Sequence, residues 1–270
     1  MCLALVFAVC AAEPPAVVAE AAIDVRTFGA AADGTTDATA AFAQALTAAA
    51  ARGGGTVSVP AGLFLLAGSV NVPTGVALQG TWAWPHHGAW RQGSTLCLTG
   101  GRGREDGPAA IQLGPSSAVR GLTIVHPEQM LEDVQPYPWA IRGTGMHCTV
   151  ENVTFVNCFQ GIAMGPGSNE LHLIRNVFGC VLRRGIFVDG TTDIGRIENV
   201  HFNPHYWVRA EFPGTPGVWR VGGAGGKSET RHPQWYMQQH LDAFIFGRTD
   251  WEYVLNTLSL IHISEPTRPY

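Results

Sequence analysis

A short pattern of apolar and polar positions recurs along the chain, with the form apolar-x-Asn-apolar-x-apolar. It occurs at 150–155 and 197–202, and a copy at 174–179 lacks only the last apolar residue. A further copy begins at Val254, and an earlier one at 119–124 has glycine in place of asparagine. Steps of 24 and 23 residues separate the first three asparagines, which is the length of one coil of a parallel β solenoid. The pattern therefore predicts stacked coils.

The asparagine shifts the alternation of the strand by one position. Side chains alternate between the two faces of a strand, so Val150 shares a face with Asn152, whereas Val153 starts a new alternation. One residue in the left-handed αL conformation produces such a shift, and asparagine and glycine adopt it most readily. On successive coils we expect Asn152, Asn176 and Asn199 to stack about 4.8 Å apart and to hydrogen-bond through their amides. These residues are predicted to hold the fold.

A helix and several short strands are predicted before the repeat. The segment ATAAFAQALTAAAA follows Asp37 as N-cap and ends at three glycines, and Phe42 and Leu46 mark its buried side. Alternating runs predict strands at 56–59, 63–66, 70–72 and 76–78. A helix before the first coil can cover the open end of a solenoid.

The first residues predict an exported protein. Residues 3–12 form an apolar block followed by small residues and prolines, a pattern typical of a signal peptide, although no basic residue precedes it. The alternative is a buried N-terminal helix. We expect 1–22 to be a signal peptide and short linker, and the mature protein to be extracellular or periplasmic. The block is too short to span a bilayer, so no stable membrane insertion is expected.

Composition excludes two classes of protein. With 46% hydrophobic and 14% charged residues the chain is not disordered, and a net charge of −4 offers no electrostatic surface for nucleic acid. The 33 glycines and 17 prolines indicate many turns. Cys97, Cys148, Cys158 and Cys180 lack the paired spacing of a metal site and are interpreted as small buried hydrophobes, with a disulfide left open.

The stretches IDVRTFGAAADGTTDATAAFAQAL and GGGTVSVPAGLFLLAGSVNVPTGVALQG resemble the rhamnogalacturonase/epimerase-like branch of the pectate-lyase superfamily. The resemblance covers roughly 23–257. It implies an all-β fold, a single-stranded right-handed parallel β-helix of the pectin-lyase-like kind, with an N-terminal capping helix and a substrate groove along one sheet. The same entry segment precedes lyases, hydrolases, epimerases and phage tailspikes, so the resemblance leaves the reaction open.

The resemblance implies an exported carbohydrate-active protein that acts on a polysaccharide, as a glycoside hydrolase or a polysaccharide lyase. The alternative is a non-catalytic glycan-binding β-helix like a tailspike or an adhesin. Polygalacturonase signatures (Asn-Thr-Asp, paired Asp-Asp, Gly-His-Gly) and a pectate-lyase calcium and arginine set are absent from the sequence.

The last residues interrupt the repeat. LSLIHISEPTRPY begins where the copy around Asn256 should continue, and it resembles translated sequencing adapter. We therefore expect 258–270 to be a non-native tail without coil structure. The β-helix of 23–257, with an insertion at about 204–240, is expected to be truncated at its C-terminus.

Three carboxylates share one position in the repeat. Counting back six residues from Asn176, Asn199 and Asn256 leads to the candidate catalytic residues Glu170, Asp193 and Asp250. In a stacked column, alternate carboxylates would lie about 9.6 Å apart, near the separation that an inverting glycosidase uses. Such a column would also attract a hard cation, so Ca²⁺ is a possible cofactor. Turn chemistry with arginine pairing is the alternative explanation.

Aromatic and histidine side chains cluster in two segments. Tryptophan faces stack on sugar rings, so these residues are candidates for substrate binding; the alternative is that they pack the loops onto the solenoid. The candidates are Trp82, Trp84, His201, His205, Trp207, Trp219 and Trp235.

Overall fold

The computed structural model describes residues 21–83, 92–210 and 233–259, which form a coiled, all-parallel β structure. The strands, in chain order, are Ile23–Asp24 (β1), Asp33–Asp37 (β2), Gly55–Val59 (β3), Gly62–Leu66 (β4), Val70–Val72 (β5), Val76–Gly80 (β6), Ser94–Leu98 (β7), Ile111–Leu113 (β8), Ala118–Val125 (β9), Trp139–Gly143 (β10), Thr149–Met164 (β11), Leu173–Val188 (β12), Gly195–Phe202 (β13), Asp242–Phe246 (β14) and Glu252–Ser259 (β15).

Each coil passes through three sheets. The first sheet contains β1, β3, β6 and the first halves of β9, β11, β12, β13 and β15. The second contains β2, β4, β7 and the following parts of the same long strands. The third contains β5, β8, β10, β14 and the ends of β11 and β12. The fold is a parallel β-helix, as predicted.

Inward side chains stack in columns and form the core. In the third sheet Val70, Ile111, Ile141, Ile162 and Ile186 lie in register on successive coils, and all five are buried. Because branched aliphatic side chains fill the interior at every level, burial of apolar surface stabilises each coil against its neighbours.

The asparagine turn has the predicted geometry. Asn152, Asn176 and Asn199 have φ of 57°, 54° and 54°, and Gly121 and Asn256 have φ of 69° and 52° at the equivalent turns. The Asn176 amide donates to Asn152 Oδ1 at 2.8 Å, and the Asn199 amide donates to Asn176 Oδ1 at 2.8 Å. The prediction of a stacked asparagine ladder between the first and second sheets is confirmed.

The predicted helix covers the first coil. The helix Thr39–Ala51 (α1) buries Phe42 and Leu46, and the Phe42 ring meets Phe64 edge-on at 5.7 Å. Asp37 is not the N-cap, because the helix begins two residues later. Its carboxylate still accepts from the Thr39 backbone at 2.9 Å, and it also accepts from Ala67 N at 3.2 Å. Asp37 therefore ties the start of α1 to the end of β4.

The four cysteines of the solenoid are buried and unpaired. Burial raises the pKa of the Cys97 and Cys148 thiols to about 11. They are therefore protonated at neutral pH and pack as small apolar groups, which confirms the first interpretation of these residues.

The insertion between β13 and β14 contains two short helices within the described residues, His205–Val208 (α2) and Pro233–His240 (α3). Met237 is fully buried and its sulfur lies 3.5 Å from Cys180 Sγ, so α3 packs against β12. No helix in the described ranges is long and apolar enough to cross a membrane.

The C-terminal end of the described chain differs from expectation. β15 extends two residues beyond the expected boundary at 257, with Leu258 opposite His201 and Ser259 opposite Phe202. These residues continue the backbone ladder of β13, so the strand does not stop where the adapter-like sequence starts. Residues 1–20 and 260–270, which carry the predicted signal peptide and most of the predicted tail, lie outside the described residues.

Candidate functional site

A cleft of about 610 Å³ lies on the outer face of the third sheet. Its floor is formed by outward side chains of β10, β12 and β14. One wall is the segment after β7, and the other is the turn after β11. The residues that line it are Glu105, Asp106, Gly107, Trp139, Arg142, Pro166, Arg184, Phe187 and Ile245.

The floor of the cleft is aromatic. The rings of Trp139 and Phe187 stack with centroids 6.0 Å apart and planes inclined by 28°. They belong to strands on either side of β11, where Phe187 lies opposite the fully buried Ala163, and the Trp139 ring packs in the same apolar cluster as Ala163. Because Ala163 has only a methyl group, the two rings meet above it. Together with Ala109 these residues form an apolar cluster separate from the main core.

Arg142 places a guanidinium group beside this floor. Its Nε donates to the backbone oxygen of Gly165 at 2.9 Å, which fixes the side chain across the sheet. Among the residues that the structure describes, no carboxylate forms a salt bridge with Arg142. The terminal nitrogens therefore offer a fork-shaped donor to a ligand in the cleft.

Two carboxylates face these groups from the wall. Glu105 and Asp106 follow one another, and Glu105 lies 3.5 Å from Arg184 Nη2 in a half-exposed salt bridge. The opposite guanidinium nitrogen of Arg184 donates to Gln160 Oε1 at 3.1 Å. The cleft thus combines an apolar floor with one free and one paired guanidinium group and two carboxylates.

The predicted catalytic carboxylates occupy a different part of the coil, the turns between the third and first sheets. In these turns Asn169 pairs with Thr191, and Thr191 pairs with Thr249. In the middle coil the spacing from the paired residue, Thr191, to the ladder asparagine, Asn199, is one residue longer than the same spacing in the coils on either side. Counting back from the asparagine therefore fails in that coil.

The predicted column of three carboxylates is corrected by this register. Glu170 and Asp250 directly follow paired residues, and Thr192 rather than Asp193 lies in their row. The Thr192 hydroxyl donates to the Glu170 carboxylate. Asp193 is displaced by the extra residue, so it lies outside the row.

Each of these carboxylates has a local partner, and none lines the cleft. Asp193 accepts from the backbone of Ile194 at 2.7 Å, and Asp250 lies 3.3 Å from Arg248. No group of three or more potential metal ligands occurs within 21–83, 92–210 and 233–259. The catalytic role of Glu170, Asp193 and Asp250 stays a prediction.

A buried polar row lies beneath the same turns. Thr191 donates to Asn169 Oδ1 at 3.0 Å, and Asn169 hydrogen-bonds to His172 at 2.9 Å. His172 contacts Glu252 at 3.1 Å across Gly195, which leaves room for the pair because it has no side chain. Repeated polar contacts between coils indicate that this corner stabilises the solenoid.

Among the predicted aromatic and histidine binding residues, His201 lies on the second sheet and Trp82 packs against it. Trp207 is fully buried, so it packs the insertion and is not available to a ligand. Trp82 donates to Thr154 Oγ1 at 3.1 Å and lies 6.2 Å from the Phe178 ring, which packs it against the sheet. His201 meets the Tyr206 ring edge-on at 6.5 Å.

The remaining aromatic candidates have different positions. His205 begins α2, and burial lowers its pKa. Trp235 is 55% exposed on α3 and is accessible to a ligand. Trp84 and Trp219 lie outside the described residues. Burial raises the pKa of the neighbouring Tyr236.

Sequence reasoning missed the residues of the cleft because it followed the repeat. Trp139, Arg142 and Phe187 belong to the third strand of the coil, whose outward positions hold different residue types on successive coils. A usable signal was present in the segment PWAIRG, where the charged Arg142 interrupts an otherwise apolar strand that also carries the large ring of Trp139. Recognising it required the outward positions of that strand to be known.

Comparisons with known proteins agree with this fold. Residues 22–93 match the family model for Rhamnogalacturonase A/epimerase, pectate lyase-like. No curated protein matches the chain by sequence. A candidate glycosyl hydrolase from Parabacteroides merdae is similar in structure, with 15% identity, a TM-score of 0.57, and coverage of 89% of this chain and 96% of the other.

A second similar structure is PfbA, a surface adhesin of Streptococcus pneumoniae. The identity is 19% and the TM-score 0.52, with 67% of this chain and 50% of the adhesin covered. At these identities the likeness concerns the fold, a parallel β-helix. The family match adds a likeness in sequence to the pectate-lyase-like family over residues 22–93.

Proposed function

We propose that the protein is an exported carbohydrate-active protein that binds a polysaccharide in the cleft over the third sheet. The observation that carries the proposal is the stacked pair Trp139 and Phe187 beside the unpaired guanidinium of Arg142. The family match over residues 22–93 and the similarity to a candidate glycosyl hydrolase support the same class of ligand.

The aromatic floor suits the apolar face of a sugar ring. Aromatic side chains bury the C–H surface of a sugar while its hydroxyl groups stay at the rim, where charged groups can bind them. The cleft volume of about 610 Å³ falls within the usual range for a small-ligand site, so it holds a short stretch of a longer chain.

Arg142 favours an acidic sugar. A guanidinium group binds a carboxylate through two parallel hydrogen bonds, and Arg142 keeps its terminal nitrogens for this purpose because only Nε is used by Gly165. An uncharged sugar would leave that donor without a matched partner. The proposal therefore includes a preference for polysaccharides that contain carboxylated residues.

The same cleft contains groups for two reactions. A hydrolase needs a carboxylic acid and a carboxylate on either side of the bond, whereas a lyase needs a base and a cation that stabilises the uronate. Glu105 and Asp106 supply carboxylates, and Arg142 supplies the cation. We propose cleavage by one of these routes in the cleft. The catalytic role of Glu170, Asp193 and Asp250 at the turns stays a separate prediction, which this proposal does not require.

A non-catalytic glycan-binding protein is the second candidate. The observation that favours it is the salt bridge between Glu105 and Arg184, because the arginine already occupies a carboxylate that cleavage would need. Binding would then use the floor and Arg142 without cleavage.

One experiment separates these functions. The purified full chain is incubated with a panel of acidic and neutral polysaccharides, and binding is measured by calorimetry. New reducing ends without ultraviolet absorbance indicate a hydrolase, new ends with the absorbance of a C4–C5 double bond indicate a lyase, and binding alone indicates a binder. Absence of binding to every member would contradict the proposal. Export is tested separately by the N-terminal sequence of protein recovered outside the cytoplasm.

A further inference from the structure

We propose that Gln160 is a positioning residue of the cleft, whose buried amide holds Glu105 and Arg184 in place beside the aromatic floor. The inference rests on the proposed polysaccharide function for its consequence, although the contacts stand by themselves. Gln160 does not line the cleft, so it acts through its neighbours.

The burial of Gln160 is unusual for its position. It lies on β11 in the outward row of the third sheet, between Trp139 on β10 and Arg184 on β12. An outward glutamine on an uncovered sheet would be solvated, yet Gln160 is fully buried. Two segments cover it: 99–110, between β7 and β8, and 126–138, between β9 and β10.

The structure records three hydrogen bonds of the Gln160 amide, and they join separate parts of the chain. Nε2 donates to the backbone oxygen of Glu105 at 3.0 Å and to that of Tyr137 at 2.9 Å. Oε1 accepts from Arg184 Nη1 at 3.1 Å. One side chain therefore joins both covering segments to the sheet and orients the arginine that pairs with Glu105.

Only an amide of this length satisfies the arrangement. Two carbonyl oxygens need two N–H donors, and the guanidinium needs an acceptor. A glutamate would oppose both carbonyl oxygens with further acceptors, whereas a methionine would leave two carbonyl oxygens and a guanidinium nitrogen buried without partners. An asparagine keeps the chemistry but is one methylene too short to reach both segments.

Loss of this contact should release the acidic wall and leave the floor intact. The Glu105 carboxylate would lose its defined position relative to Trp139 and Arg142, and Arg184 would lose one of its two partners. The solenoid core lies on the other face of the sheet, so the coils themselves are expected to remain folded.

The test combines Gln160→Met and Gln160→Asn with a matched control, Gln79→Met. Gln79 is an exposed outward glutamine on β6 of the first sheet. Hydrogen exchange of the free protein is measured first, because it requires no ligand. Faster exchange of backbone amides at 104–107 in both Gln160 variants, with no change in Gln79→Met, is expected. Unchanged exchange at 104–107 would overturn the inference whether or not the protein binds polysaccharide.

A double-mutant cycle then tests the functional consequence. Gln160→Met should weaken polysaccharide binding or turnover by about tenfold or more in the wild type, but by less than about twofold when Glu105→Gln is already present. A general loss of structure would instead give the same factor on both backgrounds and would overturn the positioning role. If the wild type binds no polysaccharide, the proposed function fails while the exchange measurement still decides the role of Gln160.

Discussion

The asparagine turn and the cleft show two uses of the same stacking geometry. At the turn, successive coils place the same residue type at the same position, and Asn152, Asn176 and Asn199 hydrogen-bond to one another. On the outer face of the third sheet, successive coils place different residues side by side, such as Arg142, Ala163 and Phe187. The first arrangement satisfies the chain itself, whereas the second leaves groups for a ligand.

This difference gives a way to interpret a solenoid. A residue that recurs in every coil interacts with its own copies, so its contribution is to the stability of the stack. An outward residue whose type differs from those at the same position of adjacent coils has no copy of itself to interact with, so its side chain is available to other groups or to a ligand. The turns with Glu170 and Asp250 belong to the first kind, because Thr192 and the buried row beneath them connect the coils.

The largest expected effect is on the ladder. Asn176→Ala removes two amide hydrogen bonds and places a Cβ-bearing residue without a polar side chain at positive φ, so the free energy of unfolding should fall by about 3 to 4 kcal/mol. Asn176→Gly loses the same hydrogen bonds without the conformational cost, so its free energy of unfolding should fall by about 2 kcal/mol. Denaturant unfolding measures both. Equal losses of stability in the two variants would contradict the role of the αL conformation at this turn. Weaker polysaccharide binding in a folded variant would contradict the separation of the ladder from the binding site.

The segment that covers Gln160 should make stability depend on pH, in contrast to the ladder, which contains no titratable group. His126 begins the segment that borders Gln160; it is buried, stacks on Tyr137 at 3.9 Å, and contacts Leu98 O at 3.0 Å through Nδ1. Burial lowers its pKa from 6.5 to about 4. As the pH falls below 6.5 the unfolded chain takes up a proton that the folded protein excludes, so stability is lost between pH 6.5 and 4.

The expected loss through His126 is about 3 kcal/mol over that range, and stability above pH 6.5 is unaffected by it. His126→Asn keeps a donor for Leu98 and removes the titrating group. Unfolding curves at pH 7 and pH 4.5 should therefore differ less in the variant than in the wild type. The same difference in both proteins would show that His126 is not the group responsible.

A smaller effect is expected from the aromatic floor. Trp139→Ala removes one of the two stacked rings and should weaken polysaccharide binding by about tenfold to a hundredfold, or 1.4 to 2.8 kcal/mol. Trp251→Ala is the matched control, because Trp251 is 64% exposed and lies outside the cleft. Calorimetric titration gives both affinities. A loss of affinity in the control as large as in Trp139→Ala would indicate that the ligand does not bind over the third sheet.

The smallest effect is expected at the turn carboxylates. Asp193→Asn removes a charge whose recorded contact among the described residues is the adjacent backbone, so affinity and turnover should change by less than about twofold. A tenfold loss of turnover with normal folding would instead establish the catalytic role that the spacing of the repeat suggests for Asp193.

The sequence allowed most of the fold to be predicted, because the fold depends on recurrence. The coil length, the αL asparagines and the buried side of α1 each follow from spacing within a short window. The carboxylate column failed because one extra residue in the middle coil changes the register between two turns, and counting from one turn does not reveal it. The cleft assembles residues from 105 to 245, which only the stacked coils bring together.

Hydrogen exchange of the full chain with and without a bound acidic polysaccharide tests the central claim most directly. If the cleft over the third sheet holds the ligand, protection should increase at 104–107, 139–142 and 184–187 and stay unchanged at the turns that contain Glu170 and Asp250. Increased protection at those turns, with the cleft unchanged, would contradict the account.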